Sequence, residues 1–313
     1  MEMINSTLGV AGTPARIIVT GGSGMLGTAL RNAFAVRKMQ TLHLVRGPAS
    51  GNNQLSWNPT GDPAMASPAP LEGFTAAVHL SGASVAARRW TFAYRRELVA
   101  SRVDSTRTLA TLLAGLRRPP LALLVASAVG IYGDHGDELL DETSSPGTGF
   151  LASLCTQWEA AARPAVEAGI RVVHLRFGVV LGPGRGALAQ ILPVFRMGLG
   201  GRLGSGRQWM SWISLADAIE AIVFALQTPA LAGPVNLTAP SPVTNEEFTR
   251  ALARQLRRPA IFPAPAFALR LAFGQMADEA LLASARAVPT KLLAAGFTFA
   301  HPGVETALAA ALD

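Results

Sequence analysis

The sequence predicts an α/β fold, a doubly wound parallel sheet followed by a smaller C-terminal lobe. Three observations predict it. Short β-branched runs alternate with apolar-periodic stretches of helical length from Arg16 to Phe177. A glycine-rich turn separates the first run from the first helical stretch. Half of the 313 residues (50%) are hydrophobic and only 15% charged, which supplies a large core and excludes intrinsic disorder.

The elements follow in order. Arg16–Thr20 (RIIVT) is a β-branched run and reads as a buried strand. Gly21–Gly27 turns the chain. Ala29, Leu30, Ala33 and Phe34 then give an apolar face to a helix reaching about Val36. Thr41–Val45 is the second strand, and Gly47–Leu71, rich in Gly, Pro, Asn and Ser, is loop. Ala76–Leu80 is a strand ending in Ser81-Gly82-Ala83, a helix spans roughly Thr91–Leu116, and Leu121–Ala126 is a strand ending at Ser127. Phe150–Ala168 is helical and Arg171–Phe177 is a strand. The alternation places helices on both faces of a parallel sheet. After Gly182 the texture changes. Gly182–Gly186 and Gly198–Gly206 are glycine-rich loops, Asp217–Leu226 is helical and Val235–Leu237 is a short strand. Thr244, with Glu247 three residues on, has capping-box spacing for a helix through Leu256. The expected organisation is a flexible leader over residues 1–14 and a nucleotide-binding domain over 15–182, with part of 205–240 returning to it. A substrate lobe takes most of 183–313.

Composition narrows the function classes. The one cysteine, Cys155, excludes an internal disulfide and a cysteine-based zinc site, and fits a cytoplasmic protein without a metal. The longest charge-free stretch, Ala221–Asn245, carries Pro229, Pro234, Pro240 and Pro242 and is no ordinary membrane span. Residues 1–14 lack the basic and apolar regions of a signal peptide. The net charge of +7 favours an anionic partner. Of the 27 basic residues all but Lys38 and Lys291 are arginine, and the two tyrosines are Tyr94 and Tyr132. Leu98 and Gly136 stand four residues after those tyrosines, so the chain holds no Tyr-x-x-x-Lys pair.

The strongest motif is Thr20-Gly21-Gly22-Ser23-Gly24-Met25-Leu26-Gly27, a Gly-x-x-Gly-x-x-Gly pattern between a strand and a helix. Gly21 permits the sharp turn, Gly24 lets backbone approach a pyrophosphate, and Gly27 lets helix pack on strand. The helix start then presents free N–H groups to the phosphates. This is a Rossmann-type arrangement. At the end of the second strand an NAD site carries an acid for the ribose 2′-OH. Here the strand runs Leu42-His43-Leu44-Val45-Arg46, with no acid near, and Arg46 suits a 2′-phosphate. NADP(H) is therefore the expected cofactor. The small residues of Leu80-Ser81-Gly82-Ala83 leave room for its nicotinamide half. Arg88, Arg95 and Arg102 recur at seven-residue spacing, either as a solvated face or with Arg102 near the cofactor.

The sequence resembles the extended short-chain dehydrogenase/reductase superfamily, and within it the atypical epimerase-like branch with a C-terminal domain of unknown function. The resemblance is carried by Thr20–Gly27, Val78–Ala83, Arg89-Trp90, Ser101-Arg102, Ser127–Asp134, Trp158–Ala162, Arg176–Gly182, Gly198–Gly201, Trp212–Asp217 and Pro265–Val288, and covers Arg16 to Leu312. It implies cofactor contacts at the glycine loop, Val45, Arg46, Leu80, Ser81, Glu97, Arg102 and Val180, and agrees with NADP(H).

The superfamily's chemistry uses a Tyr, a Lys four residues on that lowers the Tyr pKa, and a Ser or Thr that polarises the substrate oxygen. Counted back from Glu159, the Tyr and Lys positions fall on Leu151 and Cys155. The Ser position falls on Ser127 or Ala128. Ser127 and Tyr132 are the candidate catalytic residues, with Asp134, His135, Asp137, Glu138, Asp141 and Glu142 in the loop around Tyr132. The plainer reading of Tyr132 is a packed loop aromatic, and that of Cys155 a small buried hydrophobe. Trp209, Trp212, Arg196, Arg202 and Arg207 suit either the border of a crevice for an anionic substrate or a packed loop. The expectation is an oxidoreductase or epimerase-like enzyme on a small substrate. The alternative is an NADP(H)-binding sensor without turnover. No aromatic stacking array accompanies the charge, so nucleic acid is not an expected partner, and the oligomeric state stays open.

Overall fold

The structure is a computed structural model. It describes residues 15–60 and 69–312. The leader expected over 1–14, and part of the loop expected over 47–71, lie outside those residues.

Strand β1 (Arg16–Thr20) leads through the glycine loop into helix α1 (Met25–Val36) and strand β2 (Gln40–Val45). A short third strand, β3 (Gln54–Ser56), follows inside the stretch expected to be loop. Its three residues carry no strand pattern. It forms because the free edge of β2 offers unpaired backbone groups, and His43–Val45 take up Gln54–Ser56 in parallel register. Strand β4 (Ala76–His79) pairs with the other side of β1. Helix α2 (Phe92–Val99) runs through a π-helical turn at Ala100–Asp104 into α3 (Ser105–Ala114), where one unbroken helix was expected. Strands β5 (Ala122–Ala128) and the short β6 (Leu139–Leu140) come next. The helix expected over 150–168 is two, α4 (Phe150–Ala160) and α5 (Arg163–Glu167). Pro164 stands in the first turn of α5, and its missing N–H ends the continuous ladder.

Strands β7 (Arg171–Phe177) and β8 (Val179–Leu181), helix α6 (Gly186–Arg196), strands β9 (Trp209–Met210) and β10 (Trp212–Ser214), and helix α7 (Leu215–Gln227) lead to β11 (Gly233–Leu237). The central sheet has seven parallel strands in the order β11-β7-β5-β4-β1-β2-β3. Consecutive residues Ile17, Ile18 and Val19 of β1 are all fully buried, as are Ala76–Val78 and Ala122–Val125, because both sheet faces are covered. Thr244 caps the helix after β11 as its spacing foretold. Its hydroxyl accepts from the Glu247 N–H at 3.2 Å, and the Glu247 carboxylate accepts from the Thr244 N–H at 2.7 Å. A second apolar cluster joins Leu181, Leu188, Phe195 and Trp212 to Phe248 and Leu308. Met276, Leu292 and Phe297, far along the chain, belong to the core of the sheet itself.

This topology places the site. From β1 the chain moves to β2 and β3 on one side, then crosses back to β4 on the other. The connections after β1 and after β4 therefore diverge at the carboxyl ends of neighbouring strands, which opens a crevice there.

Candidate functional site

The two loops at this switch point are in contact, and that contact explains the glycines. Gly21 has φ +70°, and a Cβ on it would lie 2.6 Å from the Leu80 carbonyl carbon and 2.8 Å from the Ser81 nitrogen. A Cβ on Gly27 would lie 2.2 Å from the Gly21 carbonyl oxygen. Neither position tolerates a side chain without moving backbone. Gly24 differs. A Cβ there meets only the Gly21 oxygen, at 3.5 Å, so the space above it is open. Gly24 is the N-cap of α1 without a side-chain cap, and no acid lies in the helix's first turn. Ser23 and Gly24 are exposed, with Gly22, Met25 and Leu26 partly so. The cradle fits a pyrophosphate: open backbone, free N–H donors, and a helix dipole left uncompensated.

Thr20 pairs with Leu44 on one side and His79 on the other, so β1, β2 and β4 end at one level. There Val45 is half-buried and Arg46 is exposed, and among the described residues no carboxylate pairs with Arg46. Arg31 of α1 lies on the same side. Its Cδ is 3.4 Å from a Cβ built on Gly22, whose other neighbour is His43 Nδ1 at 3.3 Å. On the β4 side the floor is Leu80, Ser81 and Gly82. Beneath it runs a buried hydrogen-bond chain. The Ser81 hydroxyl donates to Thr20 Oγ1 (3.0 Å), Thr20 Oγ1 lies 2.6 Å from His79 Nδ1, and His79 Nε2 lies 3.2 Å from Ser105 Oγ. Ser105 Oγ in turn donates to the Ser101 carbonyl at 2.7 Å. The direction of donation makes His79 a neutral imidazole with its proton on Nε2. Full burial, with only hydroxyl partners, pushes its pKa down to about 3.

The π-helical turn holds Arg102 and removes it from the stripe that its spacing suggested. Arg102 points inward, 9% exposed, and its guanidinium lies under Gly82, with Cζ 3.3 Å from a Cβ built there. It donates to the Ala83 carbonyl at 2.7 Å and the Leu98 carbonyl at 3.3 Å, and sits 5.1 Å from the Trp158 ring centroid. Glu97 and Arg88 are exposed and face each other at 3.6 Å. Val180 lies on β8, paired with Ile213 and half-buried against the main core.

At the end of β5 the two candidate catalytic hydroxyls are both occupied. Ser127 Oγ donates to Glu159 Oε1 at 2.7 Å. Glu159 also takes both prongs of Arg176, at 2.8 and 2.9 Å. Burial alone would raise the Glu159 carboxyl, but the Arg176 and Ser127 bonds outweigh it and hold the pKa below the usual range. Tyr132 is fully buried. Its hydroxyl accepts from Arg176 Nη1 at 3.0 Å and lies 2.8 Å from Asn236 Oδ1 and 2.9 Å from the Asp141 carbonyl, two acceptors for its one proton. Burial, the largest influence, raises the phenol pKa. As placed, Tyr132 has no solvent-exposed surface. Four of the loop acids are likewise engaged: Asp134 with Gly136 and Ser284, Asp137 with Trp209, Asp141 with Thr143, and Glu142 with the Asn236 and Lys291 N–H groups. Asp134 and Glu142 tie this loop to the C-terminal segment.

The sequence profile of the NAD dependent epimerase/dehydratase family matches residues 17–237, and a domain of unknown function, DUF1731, matches residues 264–311. The chain belongs to the NAD dependent epimerase/dehydratase family. An epimerase family protein of Mycobacterium bovis is 46% identical over 294 residues, covering 94% of this chain and 96% of the relative. The human epimerase family protein SDR39U1 is 35% identical over 296 residues, covering 94% and 98%. The crystal structure of human SDR39U1 with NADPH superposes with a TM-score of 0.87 at 34% identity, covering 95% of this chain and 98% of that one. A UDP-glucose 4-epimerase from Thermus thermophilus, at 20% identity and a TM-score of 0.71, shares the fold.

Against this family's usual Tyr–Lys pair, α4 is informative. Leu151 packs its side chain 3.7 Å from a Cβ built on Gly130, at the β5 end of the crevice. Cys155 is buried, and that burial pushes its thiol up to about 12. Sequence reasoning missed a carboxylate against the first turn of α4. Glu279, from a π-helical turn at Ala277–Leu281, accepts from the Leu151 N–H at 2.7 Å. It also bonds Gln275, which Arg95 of α2 bonds in turn. Only the tertiary fold brings residue 279 to residue 151. The two tryptophans differ in burial. Trp212 is fully buried with its indole N–H on the Ser241 carbonyl at 3.1 Å. Trp209 donates to Asp137 at 2.8 Å, and Arg286 stacks on its ring at 4.1 Å.

Proposed function

We propose that the chain binds NADP(H) in the switch-point crevice and acts as an oxidoreductase of the epimerase-like type on a small substrate. The observation that carries the reading is the cradle. Gly21 and Gly27 are closed to any side chain by the neighbouring loop, while the space over Gly24 is open and the helix start is unneutralised. Gly21–Gly27 hold the pyrophosphate, Val45 and Arg46 the adenosine ribose and its 2′-phosphate, and Leu80, Ser81, Gly82 and Val180 the nicotinamide half. Arg102 supports that floor from below. Exposed Glu97 is the weakest of these assignments, since it faces Arg88.

A bound nicotinamide supplies hydride transfer. The chain's part is to bind, orient and handle the proton. Ser127 is held by Glu159 and Tyr132 by Arg176, while Glu279, on the Leu151 N–H, brings a further carboxylate to the start of α4. We assign to Glu279 the proton gained or lost by the substrate oxygen. A second reading, an NADP(H) sensor without turnover, is favoured by the apolar Leu151 and the high pKa of Cys155 where the family carries its catalytic pair.

One experiment separates the readings: NADPH binding by calorimetry, followed by NADPH oxidation across a carbonyl panel with wild type and Glu279→Gln. Turnover that falls in the variant at unchanged NADPH affinity supports the enzyme. Tight binding without turnover anywhere supports the sensor. Absence of NADPH binding refutes both.

A further inference from the structure

The second glycine-rich loop, Gly182–Gly186, has no role in the site as described, yet it lies on the first. A Cβ built on Gly182 would be 3.3 Å from Met25 Sδ, and one on Gly186, at φ +77°, would be 3.2 Å from Met25 Cε. Met25 is the first residue of α1. From this loop Arg185, the N-cap residue of α6 in extended conformation, reaches across and donates from Nη1 to the Ser23 carbonyl at 2.9 Å. Ser23 is the exposed middle of the cradle.

Among the described residues no carboxylate pairs with Arg185, whereas Arg37, Arg163, Arg250, Arg254 and Arg270 each have one. A neutral carbonyl is a modest partner for a guanidinium, which has five donors in a planar fork suited to phosphate oxygens. The side chain is exposed, so it exchanges partners at little cost. The chain therefore places an unneutralised cation, on a second loop, at the rim of a cradle whose own helix end is also unneutralised.

We propose that Arg185 is a positioning residue that transfers from the Ser23 carbonyl to the pyrophosphate of the bound dinucleotide and latches it in the cradle. The proposal rests on the NADP(H) reading above. It extends that reading by assigning the pyrophosphate charge to a residue outside the glycine loop.

The test is equilibrium binding to the full chain, for wild type, Arg185→Ala and Arg185→Lys. Two ligands serve: NADPH, and adenosine 2′-monophosphate, which has the 2′-phosphate but no pyrophosphate. The expected result is an NADPH affinity lowered by about tenfold in Arg185→Ala. Arg185→Lys recovers part of it, and adenosine 2′-monophosphate binds all three proteins alike. An NADPH affinity within twofold of wild type in Arg185→Ala overturns the latch and leaves the cofactor reading standing. A parallel loss of adenosine 2′-monophosphate also overturns it, by moving Arg185 to the 2′-phosphate. A wild type that binds no NADPH overturns the cofactor reading and the latch with it.

Discussion

His79 gives the most direct quantitative prediction. It is fully buried beneath the Leu80–Gly82 loop, in a chain whose members are Ser81, Thr20, Ser105 and a carbonyl, and among the described residues no carboxylate offsets a positive charge on its ring. Its folded pKa is about 3, against 6.5 when unfolded. The folded pKa is the lower one, so the unfolded chain binds the extra proton. The contribution to stability is complete above pH 6.5 and is lost as the pH falls toward 3. Between pH 7 and pH 5 the linkage relation takes away about 2 kcal/mol. The assay is urea unfolding at pH 7, 6 and 5, comparing wild type with His79→Gln, which keeps one donor and one acceptor. The variant starts less stable, but it lacks the imidazole's part of the pH slope, so the gap between the two narrows by about 2 kcal/mol at pH 5. Parallel pH profiles refute the argument, as does an NMR titration of the His79 ring with a midpoint near 6.5.

Arg46→Ala should lower NADPH affinity by roughly tenfold and leave NADH unchanged; wild-type NADH binding as tight as NADPH binding contradicts the 2′-phosphate assignment. Tyr132→Phe leaves Arg176 Nη1 and Asn236 Oδ1 without their partner. It should destabilise the fold by about 1–3 kcal/mol, read as a lowered urea midpoint, at unchanged NADPH affinity. Glu159→Ala strands a buried Arg176 and should cost about 3–5 kcal/mol by the same measurement, more than removal of both partners together. Cys155, buried with a thiol pKa of about 12, should resist alkylation in the native protein and react only once urea unfolds it.

Much of the fold was legible in the residues, and the failures have definite causes. Arg16–Thr20 and Arg171–Phe177 match their expected bounds because a β-branched run covered on both faces has no other way to bury itself. β3 was not legible, since Gln54-Leu55-Ser56 is a strand only through the edge it joins. Neither was the π-helical turn at Ala100–Asp104, because one extra residue in a helical turn leaves the apolar spacing almost intact, while turning Arg102 from an exposed stripe into the floor of the crevice. The orientation of Tyr132 depended on Asn236, which is 104 residues away in sequence, and no local pattern carries such information. Glu279 was hidden for the same reason. The cradle was readable because its demands are steric and local to the motif.

Position 155 and Arg102 constrain each other. The guanidinium is 9% exposed, hydrogen-bonded only to neutral oxygens, and close enough to Cys155 for the two to interact electrostatically. Burial of this kind already lowers the Arg102 pKa. An ammonium at position 155 would add a like charge in the same water-poor space, where two cations repel far more strongly than at a surface. A neutral thiol with a raised pKa avoids that repulsion and fills the volume. A neutral residue at position 155 and the burial of Arg102 by the π-helical turn are thus compatible in charge placement. The positive group beneath Gly82 comes from the π-helical turn at Ala100–Asp104 and not from α4, while Gly21 and Gly27 keep the backbone geometry that their close contacts require.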